Sequence, residues 1–592
     1  MIIKYKKMKI INLIFLSYCI LEIFPLDNGL GKTPQMGWNT WNKYGCNINS
    51  ELIEKSITFL ANSELYDAGY RYINLDDCWQ EEERDSTTNK IVPDRNRFPK
   101  DIKMLSGSAH RNNLYLGLYS DAGTKTCAGK AGSLGYEDID AKTYAEWEID
   151  YLKYDNCYNE NKPAKERYTT MRDALKNSNR QIFYSICNWG EEDIPQWGKD
   201  VGNSWRTTGD ISDMWLSMLR IIDINDQYHQ YAGPGGWNDP DMLEVGNGGM
   251  SLVEYKTHFS LWSISKAPLI IGCDITNMTK EIKDILINKE VIAINQDSLG
   301  EQGRKIKRMY VQLPKDFTPS LFKSEIEVVD CDGSNEQKWY INDDGSIRNN
   351  NEDLCMEIPK CVEYDTKMKT DSCHINDKSY CSNSTNQEWI YNKESKQIIS
   401  KMSPNKCLDI YTHKVTGRSV QTYDCDNTIE TQKWEYNEAD HTIKTGNKCL
   451  SSFKNDEVTE IWGGKLSNDE YALLLVNRAS ITTKIEVSFE DLNLFDEKKV
   501  KLRDLWEKKD LGEFEEKYSV LLESHDSQFL RVTPIEDNSK LIMIIIIALA
   551  GVIFICTILV LAFYIKMKKN TPKSLDGLDG NDKFLDNSKG EE

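Results

Sequence analysis

The sequence contains no CxxC pair and no cluster of histidines, although it has 16 cysteines and 7 histidines among 592 residues. The spacings typical of a zinc site are missing, and we expect no metal and no organic cofactor. Positive charge is also in deficit, because 73 lysines and arginines stand against 93 aspartates and glutamates, a formal net charge of −20. Such an acidic chain is poorly suited to nucleic acid, so we expect no nucleic-acid partner.

Charge is absent from one long stretch near the C-terminus. Residues 541–565, LIMIIIIALAGVIFICTILVLAFYI, contain no charged side chain, and about 20 apolar residues suffice to cross a bilayer. Lys566, Lys568 and Lys569 follow directly, so the positive-inside rule predicts a cytoplasmic tail at 566–592. Residues 1–25 have a basic start and a short apolar run, the pattern of a signal peptide; an N-terminal membrane anchor is the alternative.

The protein is therefore predicted to be a single-pass type I membrane protein. Its ectodomain would face the cell exterior or the secretory or lysosomal lumen, where disulfides form. Fourteen cysteines remain after Cys19 in the signal peptide and Cys556 in the span are set aside, and we expect many of them to form disulfides. Asn277 and Asn383 begin N-glycosylation sequons.

Short β-rich runs alternate with helical patterns between residues 33 and about 300. Eight such segments favour a (β/α)8 TIM barrel. They are QMGWNTW, YRYINLDDCW, LYLGLYSD, DYLKYDNC, QIFYSICNWG, SWRTTGD, GGWNDPDML and APLIIGCDI. From about residue 309 to 456 the helical pattern stops, cysteines become frequent, and a QxW triplet recurs at Gln337, Gln387 and Gln432. From about residue 460 the pattern predicts antiparallel strands.

Charged side chains recur at the ends of the predicted barrel strands, where this fold carries its chemistry. They are Asp76, Asp77, Lys153, Asp155, Arg206, Asp210 and Asp241. Two aspartates on strands four and six can face each other across the barrel mouth, and glycoside hydrolysis needs such a pair. Lys153 and Asp155 alternate on one strand, so both point to the same side. Trp38 and Trp189 offer flat faces for a sugar ring.

Long motifs in this region resemble the glycoside hydrolase family of lysosomal, plant and fungal α-galactosidases. The resemblance covers about residues 30–303 and 460–534, and it rests on GKTPQMGWNTWNKYGCNI, YINLDDCW, YLKYDNC, SWRTTGDI, GGWNDPDML and VIAINQDSLGEQG. It implies a retaining mechanism with Asp155 as nucleophile and Asp210 as acid/base, their carboxyl groups roughly 5–5.5 Å apart.

The same resemblance assigns the substrate contacts and two disulfides. Asp76 and Asp77 would bind the 4- and 6-hydroxyls of galactose, and Lys153 and Arg206 the hydroxyls at C3 and C2. Trp38 would line the apolar face, and Asp241 is included among the substrate-binding residues. The implied bridges are Cys46–Cys78 and Cys127–Cys157.

Cys187 and Trp189 resemble the fungal and plant pattern that closes the pocket beside the 2-hydroxyl. A bulky indole there should reject an N-acetyl group, which favours α-galactosidase. An α-N-acetylgalactosaminidase or a β-L-arabinopyranosidase of the same fold is the alternative within enzymes, and a non-enzymatic surface glycan-binding protein is the alternative outside them. Cys187 and Cys273 are expected to be unpaired.

The QxW repeats and NKCLDIY resemble the ricin B-type lectin, a β-trefoil of three lobes. Cys355–Cys373 and Cys407–Cys425 would each close one lobe, Cys361–Cys381 would be an extra bridge, and Cys331–Cys449 would close a third lobe split between the two ends of the insert. One lobe has the residues that the resemblance requires for a sugar site, Asp409, Gln421 and Tyr423, although Thr431 replaces the usual Asn. A trefoil that acts only as a spacer is the alternative.

The predicted architecture is multidomain, with a C-terminal antiparallel β-sandwich, an inserted β-trefoil and one transmembrane helix. The predicted bounds are 1–25 signal peptide, 26–303 barrel, 304–456 trefoil, 457–536 β-domain, 541–565 membrane helix and 566–592 tail. The expected partners are α-galactoside glycans and the membrane, and a homo-oligomer is also compatible with the sequence.

Overall fold

The computed structural model describes residues 28–314, 323–350, 353–361, 367–375, 381, 386–410, 419–453, 455–492, 499–535 and 538–569. The predicted signal peptide, the sequon at Asn383 and the tail beyond residue 569 lie outside the described residues. Residues up to Pro534 form one compact unit and the remaining C-terminal residues a second.

The N-terminal half forms a barrel of eight parallel strands, as the alternating pattern predicts. The strands are β1 Met36–Asn39, β2 Tyr72–Asn74, β3 Tyr115–Asp121, β4 Tyr151–Asp155, β5 Phe183–Ile186, β6 Ser204–Arg206, β7 Trp237–Asp239 and β8 Leu269–Ile271. Neighbours pair from β7 down to β1, and β1 pairs with β8. A parallel bridge between Leu243 and Ile271 completes the ring. The carboxyl ends of all eight strands therefore converge on one mouth.

Helices surround the barrel and cover its apolar outer face. They are α1 Trp41–Tyr44, α2 Ser50–Ala61, α3 Glu64–Ala68, α4 Ile102–Arg111, α5 Glu137–Glu146, α6 Ala164–Asn177, α7 Ile194–Val201, α8 Trp215–Asp226, α9 Leu252–Ile264, α10 Lys280–Leu286 and α11 Lys289–Asn295. Helix α9 begins with a capping box between Ser251 and Glu254, which satisfies backbone N–H groups at its first turn. Inside the barrel, a Cβ on Gly117 would lie 2.1 Å from Oδ1 of Asn74, so only glycine fits there.

The C-terminal domain is an antiparallel β-sandwich that begins earlier in the chain than predicted. Its six-stranded sheet has the order β26 (Lys509–Glu515), β25 (Lys499–Asp504), β28 (Ser527–Pro534), β23 (Tyr471–Asn477), β22 (Val458–Lys465) and β9 (Arg304–Tyr310), and β24 (Thr483–Ser488) pairs with β27 (Lys517–Leu522). Strand β9 (Arg304–Tyr310) pairs with β22 (Val458–Lys465), so residues 304–310 belong to this sandwich. The predicted trefoil boundary at residue 304 is wrong for that reason, and the trefoil interrupts the sandwich after its first strand.

The remaining sandwich elements follow the trefoil. They are β23 Tyr471–Asn477, β24 Thr483–Ser488, α12 Phe489–Leu492, β25 Lys499–Asp504, β26 Lys509–Glu515, β27 Lys517–Leu522 and β28 Ser527–Pro534. Arg478 joins this domain to the barrel, because its Nη1 donates to both Asp223 of α8 and Glu460 of β22.

The insert is a trefoil of three four-stranded sheets. Their strands are β10 Ile326–Asp330, β11 Trp339–Ile341, β12 Ile347–Asn349, β13 Leu354–Glu357, β14 Lys369–Ser372, β15 Trp389–Asn392, β16 Gln397–Ser400, β17 Lys406–Ile410, β18 Val420–Asp424, β19 Glu435–Asn437, β20 Thr442–Thr445 and β21 Lys448–Ser452. Strand β10 pairs with β21, so one sheet is built from both ends of the insert, in agreement with the predicted split lobe.

The three QxW tryptophans form the trefoil core. Trp339, Trp389 and Trp434 belong to one buried cluster. The Nε1 of each donates to a backbone carbonyl, of Leu450, Met356 and Leu408 respectively, over 2.9–3.0 Å. The repeat therefore produces the same contact three times around the pseudo-threefold axis.

The last helix, α13 (Asn538–Lys569), belongs to the second unit. Its segment Met543–Lys569 is long and apolar enough to cross a membrane, judged by length and composition. This segment ends at Lys569, beyond the end of the predicted span 541–565, and therefore includes the three lysines that follow that span.

Candidate active site

Asp155 is the last residue of β4 and lies at the barrel mouth, only 6% exposed. Tyr119 of β3 donates its hydroxyl to Oδ2 of Asp155 over 2.9 Å, and the backbone N–H of Asn156 donates to Oδ1 over 2.9 Å. Tyr119 lies directly opposite Lys153, and Asp121 opposite Asp155, so the parallel register brings these side chains together. Two donors thus fix the orientation of the Asp155 carboxylate.

Asp210 lies in the loop after β6 and is held by Arg206. The Nη2 of Arg206 donates to Oδ1 of Asp210 and also lies 3.0 Å from Oδ2 of Asp241. Asp241 in turn accepts the N–H of Ile211 at 2.9 Å, which ties the Asp210 loop to the end of β7. The Arg206 side chain is 4% exposed, whereas that of Asp210 is 61% exposed, so Asp210 faces outward.

Asp76, Asp77 and Lys153 form a second polar group beside Asp155. Lys153 Nζ donates to Oδ2 of Asp76 over 2.8 Å, and Asn39 donates to the same oxygen. Oδ2 of Asp77 accepts the N–H of Ala128. All three side chains are fixed by partners within the barrel mouth.

Burial and nearby charges shift the pKa values of these carboxyl groups. Burial raises the pKa of Asp155; Lys153 opposes this shift and Asp210 adds to it. The walls of the mouth desolvate the Asp210 carboxyl although its side chain stays accessible, and this would raise its pKa, but the cations Arg206, Lys367 and Lys153 together lower that pKa to about 2. Burial raises the pKa of Asp77 to about 6, against the hydrogen bonds it accepts. Lys153 thus lowers the pKa of both catalytic candidates.

A small cavity extends below the mouth into the barrel. It is lined by Asn39, Asn74, Tyr151, Lys153, Ser185, Cys187, Arg206, Asp239, Asp241, Met242 and Ile270. The sequence analysis singled out four of these, Lys153, Cys187, Arg206 and Asp241. It missed Tyr119, Asp121 and Asp239. Asp121 ends β3 at the position matched by Asp155 on β4, so the same strand-end criterion would have found it.

The two tryptophans and the two unpaired cysteines of the prediction occupy different surroundings. Trp38 of β1 is fully buried, and its Nε1 donates to the carbonyl of Cys273 over 2.8 Å. Trp189 follows β5, is half-buried and has a φ of 63°. Cys187 and Cys273 are buried thiols outside any disulfide, and Arg206 Nη1 lies 3.6 Å from Sγ of Cys187.

Six disulfides are present among the described residues, with the six pairings expected above. Two of them flank the mouth. Cys46–Cys78 follows Asp77, and Cys127–Cys157 joins the loop after β3 to the residue two positions after Asp155. The other four are Cys331–Cys449, Cys355–Cys373, Cys361–Cys381 and Cys407–Cys425.

The lectin candidates of the trefoil are neighbours on two paired strands. Asp409 on β17 lies opposite Gln421 on β18, and Tyr423 is two residues further along β18. Asp409 is fully buried, and its carboxylate accepts hydrogen bonds from Thr431 at 2.6 Å and Gln432 at 3.1 Å. Thr431 thus makes a direct contact with Asp409 at the position where the resemblance calls for Asn. Sugar binding at this lobe stays a prediction.

A (β/α)8 barrel with an oriented buried carboxylate and a second, exposed one at its mouth has the architecture of a glycoside hydrolase. The comparisons agree. Residues 33–297 match the family model described as alpha galactosidase A, and residues 456–532 match the alpha galactosidase C-terminal beta sandwich domain. The chain belongs to the α-galactosidase family.

Individual relatives support the same family. An Arabidopsis thaliana alpha-galactosidase 2 is 56% identical over 284 residues, which is 48% of this chain and 72% of the relative. The alpha-galactosidase of Coffea arabica is 58% identical over 283 residues, 48% of this chain and 75% of the relative. The crystal structure of alpha-galactosidase I from Mortierella vinacea aligns with this protein over 86% of this chain and 98% of the Mortierella chain, with 30% sequence identity and a TM-score of 0.59. Residues 318–414 and 397–463 match the ricin-type beta-trefoil lectin domain.

Proposed function

We propose that this protein is a retaining α-galactosidase that removes terminal α-galactose from glycans, with Asp155 as nucleophile and Asp210 as acid/base. The observation that carries the proposal is the meeting of these two carboxyl groups at one barrel mouth. Asp155 is buried and aimed by Tyr119 and Asn156, whereas Asp210 is exposed on the outer side. This asymmetry suits an attack on the anomeric carbon from within and protonation of the leaving oxygen from outside.

The first chemical step needs an ionised Asp155 and a protonated Asp210. Lys153 favours the anionic form of Asp155. Arg206, however, stabilises the anionic form of Asp210. Under this proposal the sugar hydroxyl that binds Arg206 weakens the Arg206–Asp210 hydrogen bond, and the pKa of Asp210 rises enough for it to act as an acid.

The second step uses the reverse change. Once Asp155 has become an ester of galactose, its negative charge is gone, and a neighbouring carboxyl group loses the repulsion that favoured its proton. Asp210 can then accept a proton from the attacking water. Asp210 thus loses and regains one proton in each turnover, while Asp155 alternates between a free carboxylate and an ester.

Specificity for galactose is assigned to the wall that contains Cys187 and Trp189. The thiol of Cys187 lies against Arg206, the residue assigned to the 2-hydroxyl, so little room is left for a larger substituent at C2. This disfavours the α-N-acetylgalactosaminidase alternative.

The decisive experiment compares wild type with Asp155→Ala and Asp210→Ala on 4-nitrophenyl α-galactoside, with and without azide. We expect both variants to lose most activity, by about 10²–10⁴-fold for the acid/base. Azide should restore turnover, giving β-galactosyl azide from Asp155→Ala and α-galactosyl azide from Asp210→Ala. Equal activity of wild type and Asp155→Ala would refute the assignment.

We also propose that α13 anchors the enzyme in a membrane with its catalytic unit on the extracellular or lumenal side. The length and apolarity of Met543–Lys569 and the six disulfides of the first unit support this orientation. Asn277 of the sequon is exposed. Alkaline carbonate should leave the protein in the membrane fraction, and protease added to intact cells or vesicles should report the side. Release by carbonate would contradict the anchor.

A further inference from the structure

The trefoil contacts the barrel at the connection that carries Asp210. Glu325, which is 6% exposed, accepts hydrogen bonds from Ser212 at 2.8 Å and from Ser217 at 3.3 Å. Arg220 of α8 faces Glu325 at 3.8 Å and lies 4.7 Å from the ring centroid of Phe453. These contacts place the insert directly against the segment between β6 and α8, on the outer side of the mouth.

From this position the trefoil brings a lysine next to Gly209, at the connection that carries Asp210. Nζ of Lys367 lies 3.4 Å from the point that a Cβ on Gly209 would occupy, and Gly209 immediately precedes Asp210. The Lys367 ammonium also contributes to the low pKa of Asp210. Lys367 is held by trefoil backbone, because the next residue, Met368, donates its N–H to Val420 at 2.7 Å.

A second polar group adjoins Lys367. Gln421 lies opposite Lys367 on one side and opposite Asp409 on the other, and directly opposed residues in an antiparallel pair project to the same face. Gln421 is 3% exposed, and its Oε1 has no hydrogen-bond partner among the described residues. The side chains of Gln421 and Asp409 therefore lie on the same sheet face as Lys367, and both are buried.

The side of Asp210 on which Lys367 lies determines which part of a bound substrate Lys367 can contact. Among the candidates for galactose binding, Asp76 and Arg206 are buried inside the mouth and Lys153 is half-buried, whereas Asp210 faces outward. An acid that protonates the glycosidic oxygen has the galactose on one side and the leaving group on the other. We propose that the trefoil completes a leaving-group subsite in which Lys367 donates hydrogen bonds to the acceptor oxygens of a sugar aglycone.

This inference rests on the proposed function and refines its substrate class to galactose linked to another sugar. A lysine ammonium provides three donors but no acceptor, so it distinguishes an aglycone rich in oxygen atoms from an aryl group with few acceptors. The predicted role is specificity, and Lys367 is not assigned a part in bond cleavage.

The test measures kcat and KM of the full-length protein for melibiose and for 4-nitrophenyl α-galactoside, each at the plateau of its pH profile. Lys367→Met should lower the melibiose-to-aryl ratio of kcat/KM by about tenfold, the value of one hydrogen bond to a charged group, mainly through KM. Lys367→Arg should recover most of the ratio. The exposed trefoil residue Lys393, which pairs with Glu438, provides the matched control Lys393→Met.

The outcomes separate the two proposals. An unchanged ratio in Lys367→Met, with a Tm equal to that of wild type, overturns the leaving-group subsite and leaves the α-galactosidase assignment intact. An equal loss on both substrates also overturns the subsite and indicates a general effect on the mouth. Failure of the wild type on both substrates would refute the proposed function itself.

Discussion

Arg206 donates a hydrogen bond to Asp210 over 3.0 Å, so the proposed acid/base is paired with a cation before substrate binds. This pair stabilises the charged form of Asp210, while the first step needs its protonated form. Arg206→Met should therefore raise the pKa of Asp210. Because activity is lost when Asp210 deprotonates, the alkaline limb of kcat/KM, which reports the free enzyme, should move to higher pH by about one unit, together with a rise in KM. A pH profile with an aryl galactoside measures it, and a shift to lower pH would contradict the role of Asp210.

Lys153 should affect the opposite limb. Asp155 must be ionised to attack, and its pKa is raised by burial against the favourable effect of Lys153. Lys153→Met removes that cation, so the pKa of Asp155 should rise further and the acid limb of kcat/KM should move to higher pH by about one unit. Lys393→Met should leave both limbs in place. An acid limb that stays unchanged in Lys153→Met would show that Asp155 does not govern it.

Asp213 is expected to make the fold more stable in mild acid. Burial raises its pKa to about 6, against hydrogen bonds from Gly249 and Tyr255 and with added repulsion from Glu254. The folded protein therefore holds this proton between about pH 4 and 6 while the unfolded chain releases it, so Asp213 makes stability fall as pH rises through that window. In Asp213→Asn the unfolding free energy should fall less steeply with pH over this window, and the change in slope should correspond to at most one proton. Thermal unfolding from pH 4 to 7 tests this, with the exposed Asp138→Asn as control.

The Cys127–Cys157 disulfide should support both stability and catalysis. It closes a loop of 30 residues next to Asp155. The double variant Cys127→Ala/Cys157→Ala should lose about 2–4 kcal/mol of unfolding free energy, and kcat should fall because the end of β4 is less constrained. Denaturant titration and kinetics at a temperature where the variant is fully folded separate the two effects. Loss of stability with an unchanged kcat would exclude the positioning role.

The wall near C2 gives a specificity prediction. Trp189→Ala, alone or with Cys187→Ala, should create room beside Arg206 and raise the ratio of kcat/KM for 4-nitrophenyl α-N-acetylgalactosaminide to that for the galactoside. Specificity depends on the difference in transition-state contacts between the two substrates. Because the galactoside loses its contact with the removed side chains, its kcat/KM should fall in the same variants. A ratio that does not change would remove Trp189 from the account of specificity.

The barrel could be predicted because short runs of strand-forming residues with polar side chains at or near their ends alternate with helical patterns, as in YLKYD of β4. The convergence of Asp155 and Asp210 follows from the fold, since all parallel strands of a barrel end at the same mouth. The trefoil lobes could be predicted because the QxW triplet and the cysteine spacing repeat.

Other features depend on contacts that no local pattern contains. Strand β9, RKIKRMY, has no uniformly apolar face that would assign it to the sandwich, and its partner β22 lies about 150 residues later in the chain. Tyr119 binds Asp155 only because β3 and β4 are in one particular register. Lys367 lies close to Gly209, next to Asp210, through the docking of two domains, which depends on matched surfaces such as Glu325 against Ser212.

The placement of β9 before the trefoil has a consequence for biosynthesis. A ribosome releases the first sandwich strand long before its neighbour β22 exists, and the whole trefoil emerges between them. The edge of β9 that pairs with β22 therefore has no partner strand while the trefoil is being synthesised. Because β10 and β21 pair at the two ends of the trefoil, folding of the trefoil would bring β22 close to β9 and favour closure of the sandwich.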